Sequence, residues 1–134
     1  MRPIEFKAQN VNRVWVYGNL SILKKNLDNI DAGSYISNSA GAPFAYKVRP
    51  ETVGQFTGLT DKNGSKIFEG DIVEIIEIDA FGNLDWNRLK GKVMFSEGAW
   101  LVTDNRSFAI PLWSEINEIE VIGNIHENPE LLED

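Results

Sequence analysis

The chain contains no cysteine, a single histidine and no uninterrupted apolar run longer than four residues. Without cysteine there are no disulfides, no thiolate nucleophile and no thiolate metal site. The lone His126 has no serine in a nucleophile-elbow context to activate, so a Ser-His-Asp arrangement is not expected, and zinc is left with carboxylates alone. The short apolar runs exclude a membrane-spanning helix. The first ten residues hold no apolar signal core, so export is not expected and a cytoplasmic location is. Neither of the glycine-rich phosphate-cradle patterns occurs, because the 11 glycines are dispersed rather than clustered before a helix.

Basic charge is also scarce, at 13 Lys+Arg against 20 Asp+Glu, for a formal net charge of −7. The imbalance is local. Residues 1–113 carry all 13 basic residues and 13 acidic ones, whereas Glu115, Glu118, Glu120, Glu127, Glu130, Glu133 and Asp134 follow with no cation. Nucleic-acid binders rely on a concentrated basic surface to neutralise phosphates. Here Lys24-Lys25 and Arg88, Lys90 and Lys92 form the only dense groups, so nucleic acid is not the expected partner.

What is present is enough for a core. A length of 134 residues with 43% hydrophobic and 10% aromatic content is one globular domain's worth. The pattern is that of strands. Ile4–Ala8 alternates apolar and polar, and Val14–Tyr17 is apolar on both faces and reads as a buried strand. Asn10-Val11-Asn12 lies between them as a hairpin turn. Residues 19–33 are ambiguous: Ile22, Leu23, Leu27 and Ile30 suit a short helical face, whereas Asn26, Asp28, Asn29, Asp31 and Gly33 suit a loop or irregular hairpin. Thr52–Thr57 reads as a short strand, and Asp61-Lys62-Asn63-Gly64 as a turn. Ile72–Ile78, Gly91–Phe95, Ala99–Thr103 and Glu120–Ile125 are strands. Residues 79–90 read as a polar loop, Ser96-Glu97-Gly98 as a tight turn, and Pro111–Ile116 as one helical turn. Asn128-Pro129 is an N-cap and first helical position for a terminal turn packing through Leu131 or Leu132. Strand, long loop, hairpin, one-turn helix and final strand make the outline of an SH3-like barrel over about 66–125. The fold class is mostly β and antiparallel, with N-terminal strands extending or flanking that barrel.

The segment from Pro50 through Thr52-Val53-Gly54-Gln55-Phe56-Thr57-Gly58-Leu59-Thr60-Asp61-Lys62-Asn63-Gly64 resembles the central signature of the YopX family, as does its continuation Ile67-Phe68-Glu69-Gly70-Asp71-Ile72-Val73. Ile4–Ala8, Val16-Tyr17-Gly18 and the ending Val121–Leu132 resemble that family too, in the same order along nearly the whole chain. The resemblance implies a small, mostly β protein encoded by a bacteriophage or prophage and residing in the bacterial host cell. It offers no catalytic residue to carry over. It also implies one domain over 1–134, with N-terminal strands and a variable loop in 1–57, a barrel-like part in 58–126 and an acidic tail in 127–134.

Chemistry-bearing residues are few. Asp61, Glu69 and Asp71 suggest a weak ion site, but the glycine spacing of an EF-hand would make Leu59 the first ligand, so a turn and a strand-start cap are the expectation. Gly58, Gly64, Gly70 and Gly123 are expected where the chain turns or approaches another strand. Phe81 and Trp86, set among polar neighbours with Arg88 close by, have the composition of an interface anchor, although rings folding back over the barrel would explain them as well. Trp15, Tyr17, Phe95, Trp100 and Trp113, which fall within apolar runs or beside a helical turn, are expected in the core. The reading is a protein without cofactor or metal, not an enzyme, that pairs with itself or with a host or phage protein and binds no membrane. The alternatives are a nucleic-acid-associated module using Trp86, Arg88, Lys90 and Lys92, and a carboxylate hydrolase.

Overall fold

The computed structural model describes residues 4–38, 45–78, 84–112 and 117–133, of which 77–78, 84–87 and 117 by backbone alone. The chain divides into two compact units, residues 1–56 and 57–134. Strands dominate, and the helical elements among the described residues are two 3-10 turns, Pro50–Thr52 and Pro129–Leu132. No helix of the described residues is long and apolar enough to cross a membrane.

In the first unit, β1 (Phe6–Gln9), β2 (Trp15–Leu23), β3 (Gly33–Ser37) and β4 (Ala45–Val48) form an antiparallel sheet in the order β4-β3-β2-β1. The start of β5 (Gly54–Thr60) lies beside β1, with Lys7 opposite Gly54. The β1–β2 turn is built by Asn10, whose Oδ1 accepts the amides of Asn12 and Val14 at 2.8 and 3.0 Å. Such a side chain replaces a backbone acceptor at a tight corner. Ala8, Ile36 and Val48 form the buried core, with Phe6, Val16, Leu20, Tyr46 and Val53 packed against them. The end of β4 returns to the end of β1 through an Asn10–Val48 bridge and an Arg49 N–H to Gln9 C=O hydrogen bond of 2.8 Å.

Several expectations change here. Val14–Tyr17 is not a buried strand: Tyr17 lies on the solvent face of β2 with Asn19 and Ser21, as alternation requires, and the exposed Val14 belongs to the turn before the strand. The ambiguous 19–33 stretch has no helical face. Strand β2 runs on through Leu23 and pairs with β3 from Asn19 opposite Ser37 to Leu23 opposite Gly33. The connecting loop is closed by a Leu27–Ile30 bridge and by Asn26 Oδ1, which accepts the Ala32 amide at 2.7 Å. Thr52 belongs to a 3-10 turn rather than a strand; its buried hydroxyl accepts the Gln9 amide and donates to Arg49 C=O.

In the second unit the end of β5 pairs with β6 (Lys66–Phe68). Then β7 (Asp71–Ile78), β8 (Leu84–Ser96), β9 (Ala99–Thr103), β10 (Ala109–Pro111) and β11 (Asn117–Asn124) form a five-stranded antiparallel sheet. Its order is β10-β9-β8-β7-β11. Ile67, Val73, Ile75, Val93, Val102 and Leu112 are its fully buried core, flanked by Leu89, Trp100, Phe108, Ile119 and Val121. The β8–β9 corner is a two-residue turn in which Glu97 and Gly98 both take positive φ (50° and 83°), the twist-matched geometry for a hairpin.

The fold is thus mostly β in antiparallel sheets. No ladder joins β10 to β11 among the described residues, so a closed SH3-like barrel over 66–125 is not established. Of the polar loop expected over 79–90, residues 84–90 are strand instead, since β8 begins at Leu84 and pairing with β7 holds that polar stretch extended despite its composition; residues 79–83 lie outside the described residues. Pro111 does not open a helical turn but ends β10, an edge strand where a missing amide costs no ladder bond. The rest of that expected turn, 113–116 with Trp113, lies outside the described residues. The last strand starts at Asn117, three residues before its expected start. Phe95 is 51% exposed rather than core, meeting Trp100 edge-on at 5.0 Å. Trp15 is half-buried, with the Lys7 ammonium 4.7 Å from its ring centre. The terminal turn Pro129–Leu132 forms without a side-chain cap, since the Asn128 amide oxygen instead accepts the Asn124 N–H at 3.3 Å.

Candidate functional site

Asp61 and Asp71 of the central signature are both engaged at corners. Asp61, 8% exposed, accepts the amides of Asn63 and Ser65 through Oδ1, both at 2.9 Å, and the amide of Val121 through Oδ2 at 2.9 Å. The Lys62 amide donates to Ile119 C=O at 3.0 Å, and Lys62 Nζ meets Glu120 at 3.2 Å. The turn is therefore fastened to the outer edge of β11, which covers backbone groups that would otherwise template foreign strands. Burial works to raise the Asp61 carboxyl, but the Val121, Ser65 and Asn63 amides, helped by the Lys62 charge, outweigh it and hold it below its ordinary value. Asp71, almost fully buried, accepts the Phe68 amide at 2.8 Å, and the preceding Gly70 takes φ 90°. No group of three His, Cys, Asp or Glu side chains among the described residues could hold a metal ion. His126 is exposed, with its amide donating to Asn124 Oδ1 at 3.0 Å.

A groove of about 430 Å³ opens instead in the second unit. Leu89 and Phe108, both half-buried against the core, line it together with the cations Arg88, Lys90 and Arg106, the carboxylate of Asp104, and Leu131, Leu132 and Glu133 of the terminal turn. Arg88 and Lys90 are placed by β8: residues two apart share a face about 6.6–6.8 Å apart. Arg88 Nη1 contacts Glu74 Oε1 at 3.0 Å across the ladder. Arg106 is placed by the β9–β10 loop, whose shape comes from Asp104. That carboxylate accepts the Ser107 hydroxyl at 2.6 Å and the amides of Ser107, Arg106 and Phe108 at 2.8, 2.8 and 3.2 Å. The Ser107 hydroxyl first, and then these amides, hold Asp104 far below the ordinary carboxylate range. Thr103 Oγ1 closes the loop by donating to Phe108 C=O at 2.6 Å. Arg106 Nη2 reaches Leu132 C=O at 2.9 Å.

Of the three anchor residues expected from sequence, Arg88 lines this groove and is well exposed. Trp86 lies on the β8 backbone, within a register shift where β8 advances from Leu84 to Arg88 while β7 advances only from Ile78 to Ile76. Phe81 lies outside the described residues. Arg106, Phe108, Leu131 and Leu132 were not expected at a site. The signal was there for Arg106, which is the last cation before an unbroken acidic stretch.

A family model described as YopX protein matches residues 5–133. Among solved structures, the crystal structure of protein EF1440 from Enterococcus faecalis is similar over 99% of this chain and 100% of that one, with a TM-score of 0.56 and 23% identity, a likeness of fold. No curated protein sequence matches the chain.

Proposed function

This chain belongs to the YopX family, and from that premise we propose a small phage- or prophage-encoded protein that works without catalysis, by protein contact through the groove of its second unit. The observation that carries this reading is the groove's lining: three cations, Arg88, Lys90 and Arg106, against the single carboxylate of Asp104 outside the terminal turn, beside the half-buried Leu89 and Phe108. Cations beside partly exposed apolar groups, including Leu131 and Leu132 of the terminal turn, match an acidic peptide segment carrying apolar side chains, the charges setting encounter and register and the apolar groups supplying affinity. We read the antiparallel order β10-β9-β8-β7-β11 as that of an open SH3-like sheet, a reading that favours a binding module.

One observation favours a second reading. Arg88, Lys90 and Lys92 lie at alternate positions of β8, a spacing that suits successive phosphates of an extended single strand. Glu74 beside Arg88, and Asp104 and Glu133 in the groove, oppose any anion and weigh most against a polyanion with a charge at every nucleotide. Fluorescence anisotropy of a labelled acidic heptapeptide containing two leucines and of a labelled twelve-nucleotide single strand separates the two. The expected result is peptide binding that weakens about tenfold in Lys90→Glu and falls with added salt. Preference for the oligonucleotide transfers the site to the second reading, and binding of neither probe rejects the groove as a site.

A further inference from the structure

The groove is lined in part by the chain's own acidic end. Leu131, Leu132 and Glu133 line it beside Arg88, Lys90 and Arg106, and Arg106 holds the Leu132 carbonyl. This segment has the chemistry the groove is read to accept, two leucines flanked by Glu130 and Glu133. Its two ends are held differently. At its root, Asn128 N–H donates to Asn124 C=O at 2.8 Å while Asn128 Oδ1 accepts the Asn124 amide. Gly123 leaves room for that clasp, since a Cβ there would stand 2.6 Å from Asn128 Oδ1. Beyond the clasp no residue of the turn is buried. The bonds Leu131 N–H to Asn128 C=O and Glu133 N–H to Glu130 C=O lie within the turn, and a single turn without tertiary support does not hold such bonds in water, so both amides report on docking. Segments held by few buried apolar contacts open at low free energy.

We propose that residues 128–133 are a displaceable internal competitor of the groove, vacating Arg106 and the half-buried Leu89 and Phe108 when an acidic, leucine-bearing segment of a partner protein arrives. The inference rests on the reading of the groove as a peptide site and adds its regulation. A site competent only when the turn is undocked shows an affinity reduced by the undocked fraction. A turn docked for most of the time therefore weakens binding about five- to tenfold.

The test uses the full chain and a labelled synthetic heptapeptide with the sequence of residues 128–134. Anisotropy compares the wild type with Leu131→Ser/Leu132→Ser, which loosens the turn while leaving the three cations in place. A second measurement follows hydrogen exchange at the Leu131 and Glu133 amides of the wild type as peptide is added. The expected results are about five- to tenfold tighter binding to the variant and faster exchange of both amides on peptide binding. Equal or weaker binding by the variant, with exchange unchanged or slowed, makes the turn a fixed wall; the competitor is then refuted while the groove remains a peptide site. Failure of the peptide to bind either chain refutes both.

Discussion

Replacing Asp61 by alanine tests the assignment of the central signature to corner-making. The substitution leaves three amides without their acceptor: Asn63 and Ser65 within the turn, and Val121 on the edge of β11. Hydrogen bonds to a charged acceptor contribute about 1.5–3 kcal/mol each, but exposed donors recover water when released. Asn63 and Ser65 are exposed and recover it, so together they cost about 1 kcal/mol. Val121 is half-buried and its released amide costs about 2 kcal/mol. The expected loss is about 3 kcal/mol, a large share of the ~5–15 kcal/mol that holds a domain together. In urea that lowers the midpoint by ~1–3 M. Asp61→Asn keeps one oxygen for the turn but turns an NH2 toward the Val121 N–H, so it should lose about 2 kcal/mol and accelerate exchange at Val121.

The pH dependence supplies a second handle on the same residue. The folded carboxyl of Asp61 titrates below its unfolded value of about 3.9, so its contribution is complete above that value. It is lost as pH falls through the lower folded value. The gap in urea midpoint between wild type and Asp61→Asn should therefore be full at neutral pH and close on acidification below about pH 4. An Asp61→Ala chain within 0.5 kcal/mol of wild type at neutral pH, where about 3 is expected, would refute the claim that this carboxylate ties the turn to the sheet.

Three other substitutions probe different parts of the structure. Gly18→Ala drives a Cβ into the Ser37 carbonyl oxygen across the β2–β3 ladder at a φ of 156°, so urea unfolding should show a loss of about 3 kcal/mol or more. Arg88→Ala removes an ion pair whose guanidinium is 62% exposed, so stability should change by less than ~0.5 kcal/mol while acidic-peptide binding falls, as a calorimetric titration would show. Ser107→Ala deletes the largest influence lowering Asp104, so the Asp104 carboxyl should move up toward the ordinary range in an NMR titration with the fold retained.

The corners were legible in the sequence because turn chemistry is local. Asp61-Lys62-Asn63-Gly64 and Ser96-Glu97-Gly98 carry the side chains and positive-φ positions their turns require, and both form where expected. Strand extent was not legible, because pairing partners far away in sequence decide it. Gly18, Asn19 and Ser21 break the apolar pattern of β2, yet β1 and β3 on either side hold it extended. Residues 84–90 read as loop because their alternation is weak, and β7 supplies what local preference lacks. Exposure was the least legible property. Phe95 sits in the apolar run Val93–Phe95, but at the hairpin end of β8 little covers it.

The groove escaped the sequence for a related reason. Its members come from β8, the β9–β10 loop and the terminal turn, three segments joined by no motif. The signature segments 50–73 and 121–132, by contrast, hold Asp61, Gly70, Asp71 and Gly123, whose observed bonds and close approaches are all within the fold. Arg88, Lys90 and Arg106 belong to neither segment. Asp61 and Asp71 are buried acceptors whose loss the backbone would register, whereas Arg88, Lys90 and Arg106 sit at the surface, where a change of side chain is tolerated within about 0.5 kcal/mol. A scaffold arranged this way keeps its corners under tight physical constraint and leaves the charged rim free to vary. The recognition proposed for the groove can then be altered by surface substitutions on β8 and the β9–β10 loop at little cost in the core.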